Sequence, residues 1–440
     1  MLTTLKNAFK IKELRRKILF TLGMLVVIRI GSVLPAPGIN GEFIQKWFQE
    51  NIGDSFSFFD AITGGSFSSM AVLALGINPY ITSSIIMQLM TIAIPKLEEL
   101  QNEGEEGRKK IASITRYVTV ALALIQSVGM VISFGYQGYL DSFNAMNVCI
   151  AVAGLTAGSA FLMWVGERIT EKGIGNGISI VLVINIVSRM PQDIAGLFEQ
   201  FVFKDGVAPA MAVLSALIIV AVIIAVIVLV VLLNSATRKI PVQYAKKMQG
   251  RKMVGGQTSN IPLRVNTAGV IPVIFASSLM QLPIVICTFL GVQPGSGFWG
   301  YIYGCLKSEW WCKPSELKYS VGLLLYVVLI VFFAYFYTSI TFNPMMVADN
   351  MKKQGGFIPG IRPGKPTSDY LNKVLNYIIF IGAIGLTIVA VIPYVFAGVF
   401  GAKVSFGGTS LIIVVSVVLE TLKQAESLML VRNYKGFLQD

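Results

Sequence analysis

Runs of apolar residues, each about as long as a helix needs to cross a bilayer core of roughly 30 Å, recur from one end of the chain to the other. They cover residues 18–36, 71–94, 114–135, 148–166, 174–190, 210–233, 267–291, 319–342, 374–399 and 409–431. This pattern predicts an all-α polytopic membrane protein with ten transmembrane helices. An even number of spans returns both termini to one face. The great majority of the 36 Lys and Arg residues lie in the N-terminal tail, in alternate loops and in the C-terminal tail, so the positive-inside rule makes both termini cytoplasmic. Residues 1–190 would form an N-terminal half with spans one to five, residues 191–209 an external hinge connection, and residues 210–440 a C-terminal half with spans six to ten. An odd number of spans per half inverts the second half relative to the first, an arrangement that frames a central pathway.

Composition strengthens this picture and removes most enzymes from it. Of 440 residues, 54% are hydrophobic and 13% charged, with a mean hydropathy of +0.70, so lipid rather than water must be the main solvent. A net charge of +13 would point to nucleic acid in a soluble protein, but here the basic residues sit in loops and serve topology and docking. The chain has four cysteines and no histidine, which excludes ordinary zinc and haem sites and Ser/His or Cys/His catalytic pairs. Neither a cofactor nor a catalytic site is expected. Cys149 and Cys287 fall in apolar runs and are expected to be buried, while Cys305 and Cys312 share a short loop whose spacing permits a disulfide without requiring one.

Several segments depart from plain spans. Two long cytoplasmic loops, about 236–265 and 343–373, carry seven and five basic residues and are too long and too basic to be simple connectors. Residues 61–71, rich in Gly and Ser, are too polar to cross lipid. They read either as a half-inserted helix that plugs or lines a cavity, or as an ordinary loop packed on the outer surface. Ile77 and Ile81 lie one helical turn apart, on a span made unusually polar by Asn78, Thr82, Ser83, Ser84 and Gln88; both an interface that parts and ordinary helix packing suit such residues. Three glycines in KGIGNG allow a tight turn before span five, and Pro272 and Pro283 should bend span seven. Arg29 reads as the one charge within a span, either paired with a neighbouring helix or snorkelling to an interface. The absence of a mid-membrane acid disfavours an ion-coupled transporter, and the lack of His and of Asp within spans disfavours an intramembrane hydrolase.

Six strings, ALGINPYITSSIIMQL, EGEEGRKK, RITEKGIGNGISI, VNTAGVIPVIFASS, FNPMMVADNMKKQGGFIPGIRPGKPT and FGGTSLIIVVSV, occur in order and resemble the SecY family of protein-conducting channels, essentially from end to end. The resemblance implies an hourglass pore between the two halves, through which unfolded polypeptides cross a bacterial plasma (inner) membrane, and a lateral gate that releases signal sequences into lipid. Carried over by motif, an apolar pore ring falls on Ile77, Ile81, Leu182, Ile274 and Ile413, with Leu182 standing where isoleucine is common. The family plug falls on Asp60, Ala61, Ile62, Thr63, Gly64, Gly65, Ser66, Phe67, Ser68, Ser69, Met70 and Ala71. Spans two, three, seven and eight would form the gate, with Thr82, Ser83 and Gln88 facing it. Arg251, Lys252 and Arg362 would dock a ribosome or the SecA motor ATPase, and small SecE-like and SecG-like subunits would accompany the chain.

Overall fold

The computed structural model describes residues 11–39, 60, 62–136, 138, 144–203, 209–244, 247–249, 252–254, 258–289, 297–313, 317–400 and 408–436. The first part of the chain forms α1 (Lys12–Gly31), α2 (Asn78–Ala93), α3 (Pro95–Asn102), α4 (Glu105–Tyr136), α5 (Ala145–Lys172) and α6 (Gly177–Phe201). The second part forms α7 (Pro209–Ser235), β1 (Thr237–Tyr244), β2 (Lys247–Gln249), β3 (Lys252–Val254), β4 (Thr258–Arg264), α8 (Ile271–Phe289) and α9 (Gly297–Leu306). It ends with α10 (Val321–Thr341), α11 (Pro344–Lys353), β5 (Gly356–Phe357), α12 (Lys365–Phe400) and α13 (Gly408–Gly436). Each of the ten apolar runs overlaps one long helix. Among the described residues, six helices are long and apolar enough to cross a membrane, and the bent pair α2–α3, whose axes differ by 106°, is a seventh candidate. The chain is a multi-pass membrane protein. The other helices fall short for local reasons: α1 begins with Lys12, Glu13, Arg15, Arg16 and Lys17, and α13 carries Glu420, Lys423 and Glu426.

Three expectations change. The fold is not all-α, because the two basic loops contain five short strands. In β1 alternate residues Ile240 and Val242 point inward and are 2% and 1% exposed, the period-2 signature of a half-buried strand. β1 pairs antiparallel with β4 along its length and with β5 at Gln243–Phe357 and Tyr244–Gly356, so the two loops share one sheet, in the order β4-β1-β5. Second, the connection after the fifth run starts later than 191, since Pro191 does not stop α6, which runs on to Phe201. Third, α2 is shorter than the apolar run 71–94. Residues 71–77 are a succession of tight turns, and Pro79, which has no N–H to lose in a first turn, opens the helix at Asn78.

Packing is broad within each part and thinner between them. In the first part α4 packs on α2 and on α5, and α5 also packs on α1 and α6; in the second, α10 packs on α8 and α12, and α7 on α12 and α13. Between the parts α6 packs along α13, whereas α8 meets α2 and α4 at only a few points. The KGIGNG turn is set by close approach: a Cβ at Gly177 would overlap the Gly166 carbonyl of α5, and Gly175 has φ +79°. Asn176 then caps α6 by accepting hydrogen bonds from the Ile178 and Ser179 N–H groups. Pro272 sits in the first turn of α8, so Pro283 is its internal proline. α7 is apolar all round and leaves Leu214, Leu217, Ile224 and Val228 exposed, as a lipid-facing helix does.

Candidate functional site

Ile77, Ile81, Leu182 and Ile413 belong to one extended apolar core built from both parts of the chain, and Ile274 packs against that core. Ile77 closes the turn before α2 by accepting hydrogen bonds from the Tyr80 and Ile81 N–H groups at 3.1 Å. Ile81, one turn later, shares its face. These two side chains are 1% and 7% exposed, Leu182 of α6 is 3% exposed and Ile413 of α13 is 1% exposed; Ile274 of α8 is half-buried against the same core. Hydrocarbon offers a neighbouring polypeptide no hydrogen bond, so contact among these groups rests on non-directional burial and dispersion.

Residues 60–77 lie against this cluster and form an irregular unit in place of the expected half-helix. Asp60, Ile62 and Thr63 are helical, and residues 64–70 are consecutive turns, with Gly64 and Gly65 at φ +70° and +84°. Glycine and serine explain the form: such turns need left-handed backbone, and the Ser68 and Ser69 hydroxyls donate to the Gly65 carbonyl. Ile62 packs into the cluster, while Phe67 and Met70 pack with Val131 and Phe134 of α4 and Leu155 of α5. Ala61 lies outside the described residues.

This unit holds a charge that the sequence reading missed. Asp60 is 1% exposed, and its carboxylate pairs with Arg189 of α6 at 2.5 Å. Arg29 is therefore not the one charge within the spans; its Nη1 reaches 3.4 Å from the Gly64 carbonyl, which decides between the two readings in favour of a contact with protein. Arg189 stood at the end of an apolar run and Asp60 in a loop, and neither position marked a pair.

The polar residues of α2 divide by face. Ser83 is fully buried and donates to the Thr115 carbonyl of α4 at 2.8 Å, so it binds its neighbour within the first part of the chain. Thr82 and Gln88 are half-buried, and the Gln88 Oε1 and Asn78 Nδ2 atoms are buried without a hydrogen-bond partner. Unsatisfied polar atoms in a buried place are costly.

At the basic end, Arg362 is exposed on the loop between β5 and α12, flanked by Gly360 and Gly364 at φ +83° and +99°. Its carbonyl accepts the Thr367 hydroxyl at 2.8 Å. Lys252 pairs with Gln249 across the β2–β3 hairpin, and Arg251 lies outside the described residues. Cys305 and Cys312 are both free. The Cys305 carbonyl accepts the Trp311 Nε1–H, Cys312 has φ +57°, and burial raises its thiol pKa. Cys287 is buried as expected, but Cys149 is exposed: an apolar run supplies lipid-facing surface as well as core.

A family model described as SecY matches residues 71–422. The protein translocase subunit SecY of Mycobacterium tuberculosis (strain ATCC 25618 / H37Rv) is 42% identical over 463 aligned positions, which cover 100% of both chains. The chain belongs to the SecY family. Two solved structures share the fold of this SecY-family chain. One, a SecY protein described by a plug domain that stabilises the closed state of the translocation channel and maintains a membrane seal, has a TM-score of 0.60 and 19% identity, covering 94% of this chain and 92% of its own. The other, canine Sec61 in a ribosome-channel complex from the endoplasmic reticulum, has a TM-score of 0.59 and 19% identity with the same coverage. Asp60 and its neighbours precede the residues matched by the SecY model, whereas Arg189, Ile77, Ile81, Leu182, Ile274 and Ile413 fall within them.

Proposed function

We propose that this SecY-family protein is the pore subunit of a protein translocase, a passive channel that hydrolyses nothing itself. The observation that carries this reading is that Ile77, Ile81, Leu182 and Ile413 share one apolar core, against which Ile274 packs, with helices from both parts of the chain around it. Branched hydrocarbon can part around an unfolded chain of any sequence and close again, because it makes no directional bonds that depend on that sequence. Ten spans in two inverted halves, residues 1–190 and 210–440, would form an hourglass around this ring, with both termini cytoplasmic in a bacterial plasma membrane. Residues 60–71 act as the plug, which fits their packing against the cluster and the description of the related SecY channel. The thin contact of α8 with α2 and α4, together with the orphaned polar atoms of Asn78 and Gln88, supports a lateral gate there. Arg251, Lys252 and Arg362 dock a ribosome or the SecA motor, a reading supported by the shared β4-β1-β5 sheet and by the ribosome-bound relative. SecE-like and SecG-like subunits complete the complex.

Cysteines placed at Ile81 and Ile274 are expected to crosslink to a translocating polypeptide stalled within the membrane, and failure at both positions removes the ring. Deletion of residues 61–71 is expected to raise ion leakage across reconstituted vesicles. Unchanged conductance would return those residues to the role of a packed surface loop.

A further inference from the structure

The plug unit is attached to its surroundings differently at its two ends. At the Ala71 end the links are backbone: the Ala36 N–H donates to the Met70 carbonyl and the Val72 N–H to the Leu34 carbonyl, each at 2.9 Å, forming a short antiparallel bridge between Pro35 and Ala71. At the Asp60 end the links to the walls among the described residues come from side chains. The Asp60 backbone and one carboxylate oxygen are spent inside the unit, on the Gly65 N–H, the Thr63 hydroxyl and the Ser68 N–H. The other carboxylate oxygen faces the Arg189 guanidinium of α6. Gly64 and Gly65 are needed beside it, because Cβ atoms there would lie 2.8 Å from Arg29 Nη1 and 3.2 Å from Arg189 Nη1.

We propose that the Asp60–Arg189 ion pair is a latch that positions the plug, holding its Asp60 end against α6 while the Pro35–Ala71 bridge serves as the hinge. Arg29 supports the latch as a second cation over the Gly64 carbonyl. The proposal rests on reading residues 60–71 as a plug, and gives that plug its regulation: a passing polypeptide must separate an ion pair whose carboxylate is buried and whose guanidinium is half-buried before the Asp60 end can swing. Separating such a pair leaves an unpaired charge, so a latch of this kind favours the closed state strongly and yields all at once.

The test uses the full-length protein in vesicles, read by chloride leakage at rest. Asp60→Asn keeps an oxygen for the Ser68 N–H but loses the charge; Arg189→Gln loses the other partner. Each is expected to raise the leak at least about tenfold, and the double variant Asp60→Arg with Arg189→Asp to bring it back toward the parent. Arg189→Lys, which keeps the charge, should leak less than Arg189→Gln. A leak in both single variants without recovery in the reciprocal pair would overturn the latch in favour of local packing. If deletion of 61–71 leaks while neither single variant does, the latch falls and the plug stands. If the deletion does not leak either, the plug reading itself fails and takes the latch with it. Matching thermal midpoints of the parent and single variants in detergent confirm that each leak comes from a folded channel; a leak seen only in variants with a lowered midpoint counts against the latch.

Discussion

Gly158→Ala is expected to lower the thermal midpoint markedly, although it adds a single methyl group. Gly158 lies on the face of α5 that supports the turns before α2, and a Cβ there would overlap the Val72 carbonyl oxygen and stand 2.8 Å from its carbon. Both partners are backbone, so no side chain can rotate away. Next to it the Ser159 hydroxyl donates to the Gly76 carbonyl at 3.3 Å, so residues 72–76 cannot shift without breaking that bond and moving Ile77, which is 1% exposed. Overpacking of this kind costs about 3 kcal/mol, a large share of a stability of about 5–15 kcal/mol. The matched control is Gly23→Ala on α1, where nothing lies within 4 Å of the added atom. Thermal midpoints in detergent compare the two: a marked drop for Gly158→Ala beside an unchanged Gly23→Ala is expected, and equal midpoints would refute the close approach.

Arg362→Glu is expected to abolish driven export and leave the protein folded. Arg362 is exposed on a glycine-flanked loop, so its replacement should change stability by no more than about 0.5 kcal/mol. On the proposed function its partner is a docked ribosome or motor. Losing one side of a close interfacial charge pair costs about 2–5 kcal/mol, and reversal adds repulsion, so transport into vesicles driven by the motor or the ribosome should fall at least about thirtyfold. Arg362→Lys keeps the charge but not the planar fork that binds a carboxylate or phosphate in two places, and should fall between the two. Normal export by the Glu variant would remove this loop from the mechanism.

How far the sequence could be read depended on the range of the forces that leave a trace in it. Apolar runs mark helices because lipid tolerates almost nothing else, and each run here does overlap a helix. The helix ends were less legible. The fifth apolar run ended at 190 but α6 continues through Pro191 to Phe201, and residues 72–77 lay in an apolar run but form turns, with Gly158 packed tightly against Val72. The strands of the basic loops were hidden in the same way: Ile240 and Val242 alternate correctly, but seven basic residues in loop 236–265 made that loop read as a solvated docking surface.

The sequence by itself determined the solvent of this protein, the placing of its apolar helices, the exclusion of histidine chemistry and, through six ordered motifs, the resemblance to its family. Those properties are local, since each is decided by a residue and its near neighbours in the chain. Only the tertiary structure decided which residues meet. It brought Ile77, Ile81, Leu182 and Ile413 into one apolar core with Ile274 packed against it, joined two separate loops through β1 and β5, and set Asp60 against Arg189. An ion pair between residues more than a hundred positions apart leaves no periodic signal, because its energy depends on the distance between two side chains and not on their spacing along the chain.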